Sequence, residues 1–447
     1  MGARLGCGAL LFGPVPQGRA RRPNGARRMS QLSLFPDPPG APADWVPTRA
    51  AGLQRLNAWV QNAGRSYAGQ RNFDFGPGKH TRVSALSPWL RHRQVTEPEV
   101  LEAVLARHSL SAAEKYVQEV FWRAYFKGWL EQRPSVWSAY RTDLNTAIDA
   151  LEADGALAAR YDAAVSGKTG IAPFDAWMQE LAQTGYLHNH ARMWTASIWI
   201  FTLRLPWQLG ADHFLRHLLD GDPASNTLSW RWVGGLHTRG KTYLARADNI
   251  ARYTDGRFDP RGQLATRAEP LSETAQHDRV SLPVPDSLPG SGRIGLLLTT
   301  EDGRPETLDL PHPPAAILGL SAEAGRSALP VARLVTAFSH AALDDSLQRA
   351  ADHFSAPASR GDDVDWSASL LDWARSARLD AIVTAHAPTG PAASRLARAR
   401  RDLDQAGIPL ARAMRPYDRA AWPHATAGFF KLKRKIPQIL AQIGLHS

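Results

Sequence analysis

Between Gly167 and Trp232 the chain concentrates residue types that bind ligands. Asn189 and Arg192 lie three apart in a helical pattern, so a neutral amide and a guanidinium address one spot. Asp220 and Asp222 flank a glycine ahead of Pro223 and Asn226, and a loop there displays two carboxylates and an amide at close range. Each feature also has an ordinary reading, because Asp-Gly-Asp-Pro is a common turn and a helical Asn and Arg pair is commonly a surface contact. A second set lies on a helix read from Ala112 to Glu131. Tyr116, Glu119 and Arg123 fall at i, i+3 and i+7 with Trp122 beside them, giving one face an aromatic, a carboxylate and a cation. Phe121 and Tyr125 of the same helix read as core.

The elements that must position these groups are helices first and an α/β region second. From Trp45 to about Asp259 apolar residues recur at three and four spacing. Capping boxes are read at Thr96 with Glu99 and at Ser111 with Glu114. Residues 266–292 are rich in Pro, Ser and Asp and read as a linker. Beyond them RIGLLLTTED, VARLVTAF and LDAIVTAHAP read as short apolar strands alternating with helical stretches. The expected fold is multi-domain: an extension over 1–44, a helical domain over 45–265, the linker, and a small Rossmann-like parallel-sheet α/β domain over 293–447.

Composition limits the chemistry. The one cysteine, Cys7, excludes a disulfide framework, a four-cysteine cluster and a cysteine-built zinc site, and it suits the cytoplasm. Residues 1–28 carry six arginines and no acid, more than half of the formal +11, and read as a disordered tail or an early start ahead of Met29. The charge is therefore discounted as evidence for nucleic acid. No apolar stretch approaches the ~20 residues of a membrane span, so no membrane is expected as a partner. Fifteen tryptophans outnumber nine tyrosines, which suits either thick helix packing or an aromatic-lined pocket.

Taken together, the motifs resemble the flavin-binding helical domain of the DNA photolyases and cryptochromes. The likeness runs through Gly167 to Gly170 (GKTG), Thr184 to Met193 (TGYLHNHARM), Asp220 to Asn226 (DGDPASN) and Trp230 with Trp232. It extends upstream to about Trp45. The resemblance implies a U-shaped FAD held by Tyr67, Ser84, Leu86, Ser87, Tyr116, Arg123, Arg192, Asp220, Asp222 and Asn226. Here TRVSALSP stands where the family has a compact TSxLSP, which favours Ser84, Leu86 and Ser87 over Thr81. Arg192 is expected to pair with Asp220. Asn226 is expected to face flavin N5, where a neutral amide accepts from N5–H and favours reduced flavin.

By the same resemblance Glu119, Trp122, Asn189, Met193 and Trp232 contact a cyclobutane pyrimidine dimer. Histidines stand at the Asn189 and Met193 positions in photolyases of the pyrimidine-pyrimidone type, whereas here they are His188 and His190. The implied activity is light-driven repair of UV-damaged DNA by a monomeric lyase; the alternative is a cryptochrome-like photoreceptor without repair. Trp230 and Trp207 match an electron relay whose distal member is absent, with Tyr161 or Trp137 as substitutes. Trp177, Trp194 and Trp199 read as packing. Arg91, Arg93, Arg239, Lys241, Arg246, Arg252 and Arg257 are expected to meet DNA phosphates or solvent. Residues 293–437 resemble the family's antenna domain, permuted to the other end, with a pocket for a second chromophore of unknown identity near Thr299 to Asp302 and His386 to Gly390.

Overall fold

The computed structural model describes residues 45–445, so the extension over 1–44 lies outside the described residues. Helices α1 (Arg49–Trp59), α2 (Arg65–Gln70), α3 (Ser87–Arg91), α4 (Glu97–Leu105), α5 (Glu114–Glu131), α6 (Pro134–Ala153), α7 (Gly155–Val165), α8 (Ala172–Thr184), α9 (Asn189–Ser197), α10 (Trp207–His217), α11 (Pro223–Val233) and α12 (Ala247–Tyr253) form the helical part. A π-helical turn over Ile198–Thr202 continues α9. Five parallel strands follow: β1 (Ile294–Thr299), β2 (Ala316–Leu320), β3 (Ala358–Arg360), β4 (Ala381–Ala385) and β5 (Leu410–Ala413). They stand in the order β3-β2-β1-β4-β5 with α13 (Arg333–Phe354), α14 (Trp366–Ser376), α15 (Pro391–Gln405), α16 (Pro416–Ala421), α17 (Phe429–Lys433) and α18 (Ile436–Gln442) around them. A helical part and a C-terminal parallel α/β part thus stand as expected.

Local chemistry explains the helix boundaries nearest the site. Thr96 caps α4 with the reciprocal Glu99 bond, as expected. The Ser111 box does not form. Helix α5 starts at Glu114 behind Ala113, Ser111 bonds Ser109 instead, and Glu114 pairs with Lys433 at 2.9 Å. Gly185 ends α8 at φ +67°, a left-handed position that favours glycine, and turns the chain into α9. At α11 Asp222 is the N-cap, accepting from Ser225 N at 2.7 Å, with Pro223 in the first turn.

VARLVTAF is not a strand. Its residues open α13, where Leu334, Val335, Phe338 and Ala342 bury one helical face. The second strand is AILGL instead, wholly buried beside β1 with Leu296 opposite Ile317 and opposite Val383 on the other side. Residues 266–292 contain no helix or strand and lie as a strap. Leu271 N bonds Gly234 O, Val280 N bonds Gln132 O, and Asp286 takes Arg412 and Arg400.

The topological switch point lies between β1 and β4, and the ends of those strands meet the helical part. Arg91 reaches Glu301 with two bonds of 2.7 Å, and His92 Nδ1 lies 2.8 Å from Thr300 O. Arg93 takes Asp418 at 2.7 and 2.8 Å. Glu131 Oε1 accepts from the Thr389 hydroxyl at 2.7 Å, with Glu131 Oε2 3.4 Å from His386. The crevice expected to hold a second chromophore is thus lined by Arg91, His92 and Arg93 at the end of α3 and by Glu131 of α5. Arg91 and Arg93, expected at DNA phosphates or in solvent, are 2% exposed and committed to these buried pairs.

Candidate functional site

Two adjoining cavities collect the residues singled out from the sequence. The larger, about 870 Å³, is lined by Glu119, Trp122, Arg123, Asn189, Arg192, Met193, Asp220, Asp222, Asn226, Trp230 and Trp232. The smaller, about 410 Å³, adds Tyr67, Ser84, Leu86, Ser87 and Tyr116 and shares Glu119, Arg123 and Asp220 with the first. Sixteen of the seventeen candidates thus face one continuous space. Trp207 lies outside it, buried at 7% against Tyr140.

The DGD loop is the electrostatic centre. Arg192 grips Asp220 bidentately, Nη1 to Oδ1 at 3.0 Å and Nη2 to Oδ2 at 2.8 Å, while its Nε bonds Leu187 O. Burial alone would raise the Asp220 carboxyl, but the Arg192 charge and hydrogen bonds, with Ser87, hold it below the ordinary range. Asp222 is likewise held down against burial by Lys127, Arg91 and Arg123. Arg91 Nε also donates to Gly221 O at 2.8 Å, so the residue that docks on Glu301 fixes the loop from behind. Pro223 packs on Gly390, where a Cβ would meet its Cγ at 2.9 Å.

Asn226 donates its side-chain NH₂ to Ala211 O at 2.8 Å, which leaves the amide oxygen as the group available to a ligand. Gly210 lies under Trp230, where a Cβ would come within 2.3 Å of Cη2, so the indole rests directly on helix α10. Tyr67 and Tyr116 meet edge to face at 5.1 Å beside the smaller cavity. Glu119 stands 3.7 Å from Arg71 with its side chain 40% open to the cavities. Burial raises its carboxyl against the lowering by Arg71 and Lys115.

Neither His188 nor His190 lines the larger cavity. His188 is buried as the N-cap of α9, and burial lowers it to about 3. His190 lines the smaller cavity and is lowered by burial and Arg71 to about 4. A histidine not singled out does enter the larger one: His237, bonded to Tyr125 Oη at 3.0 Å and lowered to about 4 by burial, Arg231 and Arg133. Trp129 and the segment Thr426–Phe430 were also missed. Phe429 arrives from the α/β part and stacks on Trp122 at 3.8 Å. No local pattern marks Phe429, which is about three hundred residues from its partner; Trp129 shares the helix of Trp122 and was visible at i+7.

The aromatic surroundings of the relay candidates differ from a linear order. Trp230 has Phe214 at 5.2 Å and Trp199 at 6.1 Å, and Trp199 leads to Tyr161 at 6.0 Å. Trp207 leads through Tyr140 to Trp137, at 5.5 and 5.3 Å. Trp177 and Trp194 stack on each other and bond Asp74 and Asn249. Elsewhere Arg257 pairs with Asp74 and Arg246 with Asp248.

An acidic loop, a bidentate arginine and aromatic walls thus frame one double cavity in the helical part. Residues 116–284 match the family model described as the FAD binding domain of DNA photolyase. A deoxyribodipyrimidine photo-lyase of Streptomyces griseus is 34% identical over 247 residues, 55% of this chain and 50% of that protein. One of Thermus thermophilus is 33% identical over 234 residues, 52% of each. The chain spans about half the length of these curated relatives. A crystal structure of a class III photolyase from Agrobacterium tumefaciens is 27% identical, with a TM-score of 0.39 over 47% of this chain and 43% of that one. The helical part is thus similar, over residues 116–284, to the FAD binding domain of DNA photolyase. Among the described residues no helix is long and apolar enough to cross a membrane.

The cavity suits FAD on its own chemistry. Arg123 keeps a buried Nη1 without a protein partner, a cation suited to a diphosphate, and Asn226 keeps a free acceptor.

Proposed function

We propose that the chain is a light-driven DNA repair flavoenzyme that splits cyclobutane pyrimidine dimers in UV-damaged DNA. The observation that carries this reading is the meeting of Glu119, Trp122, Asn189, Met193 and Trp232 in one cavity with Arg123, Asp220 and Asn226. Bound FAD in its reduced form would supply, on blue light, the electron that opens the cyclobutane ring and takes it back, with no net redox change. Ser84, Ser87 and Arg123 would hold the diphosphate, and Arg192 with Asp220 would fix the isoalloxazine edge. The Asn226 oxygen would accept a hydrogen bond from a proton-bearing flavin nitrogen.

The lesion side follows from the walls. A dimer is poorly paired, so extrusion from the duplex costs little, and Trp232 offers an apolar face to receive it. Trp232 is itself braced by Tyr243, stacked at 5.6 Å. Burial raises the Glu119 carboxyl, and its side chain opens on the cavity, where it would hydrogen-bond the lesion. Asn189 offers its amide within reach of Met193 sulfur, 3.9 Å away, so the two side chains form one polar and apolar floor.

A cryptochrome-like photoreceptor without repair is the second reading. The stack of Phe429 on Trp122 favours it, because one face of the proposed lesion wall is already covered. Dark binding separates the two. The flavin-loaded protein is expected to retain an oligonucleotide bearing one thymine dimer at least tenfold more tightly than the undamaged strand, with Glu119→Gln and Trp232→Ala each weakening it. Equal affinity for both strands favours the photoreceptor.

A further inference from the structure

Phe430 is 74% exposed, one of five large hydrophobic side chains left open among the described residues, and it stands at the rim of the larger cavity. Its neighbour Phe429 is 3% exposed, clamped flat on Trp122 and edge-on to Tyr125 at 5.7 Å. The clamp fixes the backbone from which Phe430 projects. The same short helix and its continuation carry Lys431, Arg434 and Lys435 to solvent, whereas Lys433 turns back to Glu114. Arg133 ties the segment to helix α5's end by donating to Thr426 O at 3.0 Å. An aromatic ring is thus presented rigidly at a cavity mouth with three solvent-exposed cations beside it and no acid among residues 419–447.

We infer that this segment of the α/β part is a wedge for duplex DNA: Phe430 fills the gap in the base stack left by the extruded nucleotides, and Lys431, Arg434 and Lys435 grip the flanking phosphates. The inference rests on the repair reading and deepens it by naming duplex DNA as the form the site is built to open. Apolar side chains inserted at a base step hold unstacked duplex open, and ammonium and guanidinium groups release counterions from the adjoining backbone. The chemistry also explains why a large apolar ring is left in water beside basic residues. A single strand leaves no such gap, so the ring has nothing to fill there.

The test compares Phe430→Ala, Phe430→Trp and Lys431→Ala/Arg434→Ala/Lys435→Ala with the unmodified full-length chain, flavin-loaded and in the dark. Binding is measured to a thymine dimer in a duplex and in a single strand, with 2-aminopurine opposite the lesion reporting unstacking. Phe430→Ala should lose about tenfold or more on the duplex and less than about twofold on the single strand, with unchanged flavin absorption and weakened 2-aminopurine signal; Phe430→Trp should restore both. The triple variant should weaken both strands' binding and flatten the salt dependence by close to three charges on the duplex. Equal losses on duplex and single strand, or no loss on either, overturn the wedge while repair stands. Failure of the unmodified chain to prefer the dimer in either form overturns the repair reading and the wedge with it.

Discussion

Phe429 of the α/β part lies flat on Trp122 of helix α5, ring centroids 3.8 Å apart and planes 11° apart, inside the cavity that gathers the candidate catalytic residues. The contact makes the C-terminal region part of the site's wall. Removing a phenyl ring from so closed a position costs about 3–5 kcal/mol. Phe429→Ala is therefore expected to lower the urea midpoint and to shift Trp122 emission to the red. A stability change near zero would mean that the ring is not held there in solution.

Arg91 joins the two parts at the Asp220–Asp222 loop, bonding Glu301 on one side and Gly221 O on the other. Arg91→Met leaves Glu301 buried without its cation, a loss of about 3–5 kcal/mol, whereas the double change with Glu301→Met should recover most of it. Flavin retention should fall in Arg91→Met, because the Asp220–Asp222 turn loses its rear support. Denaturant melts and bound-flavin absorption after gel filtration read the two effects separately.

Buried histidines set the acid behaviour. Burial lowers His92, His190 and His237 to about 4 and His188 and His217 to about 3, against 6.5 in an open chain. Between those values the unfolded chain binds protons that the folded chain refuses, so the stability is full above about 6.5 and declines as the pH falls towards 4. The slope should approach about 1.4 kcal/mol per pH unit for each histidine. Unfolding by urea at pH values from about 7.5 down to about 5 measures it, and His92→Gln should reduce the slope. A flat profile over that range would contradict the burial.

Trp230 sits beside Asn226 in the cavity with Trp199 edge-on to it at 6.1 Å. Trp230→Phe should abolish or slow by more than tenfold the light-driven reduction of bound oxidised FAD by an external thiol, with flavin binding intact. Trp199→Phe and Trp207→Phe distinguish the branch through Tyr161 from that through Tyr140. Unchanged photoreduction in Trp230→Phe removes this residue from the relay.

Much of this was legible in the sequence, and the reasons divide by range. The Thr96 cap and the i, i+3, i+7 face of α5 are local, and local rules found them. The Arg192 and Asp220 pair spans 28 residues, yet a family pattern carried both members. Arg91 and Arg93 were misread because a charge in an unaligned segment looks solvated until its partners Glu301 and Asp418 fold onto it. VARLVTAF misled through β-branched composition, although its apolar spacing suits one helical face. Phe429 left no trace, since nothing local in FFKLK records a ring lying on Trp122.

Light-minus-dark loss of thymine dimers, counted with purified, chemically reduced, flavin-loaded protein under blue light, tests the central claim most directly. The account predicts dimer loss only in the illuminated sample, reduced at least tenfold in Glu119→Gln at equal flavin content. Equal dimer counts in light and dark, with flavin bound and reduced, would contradict it.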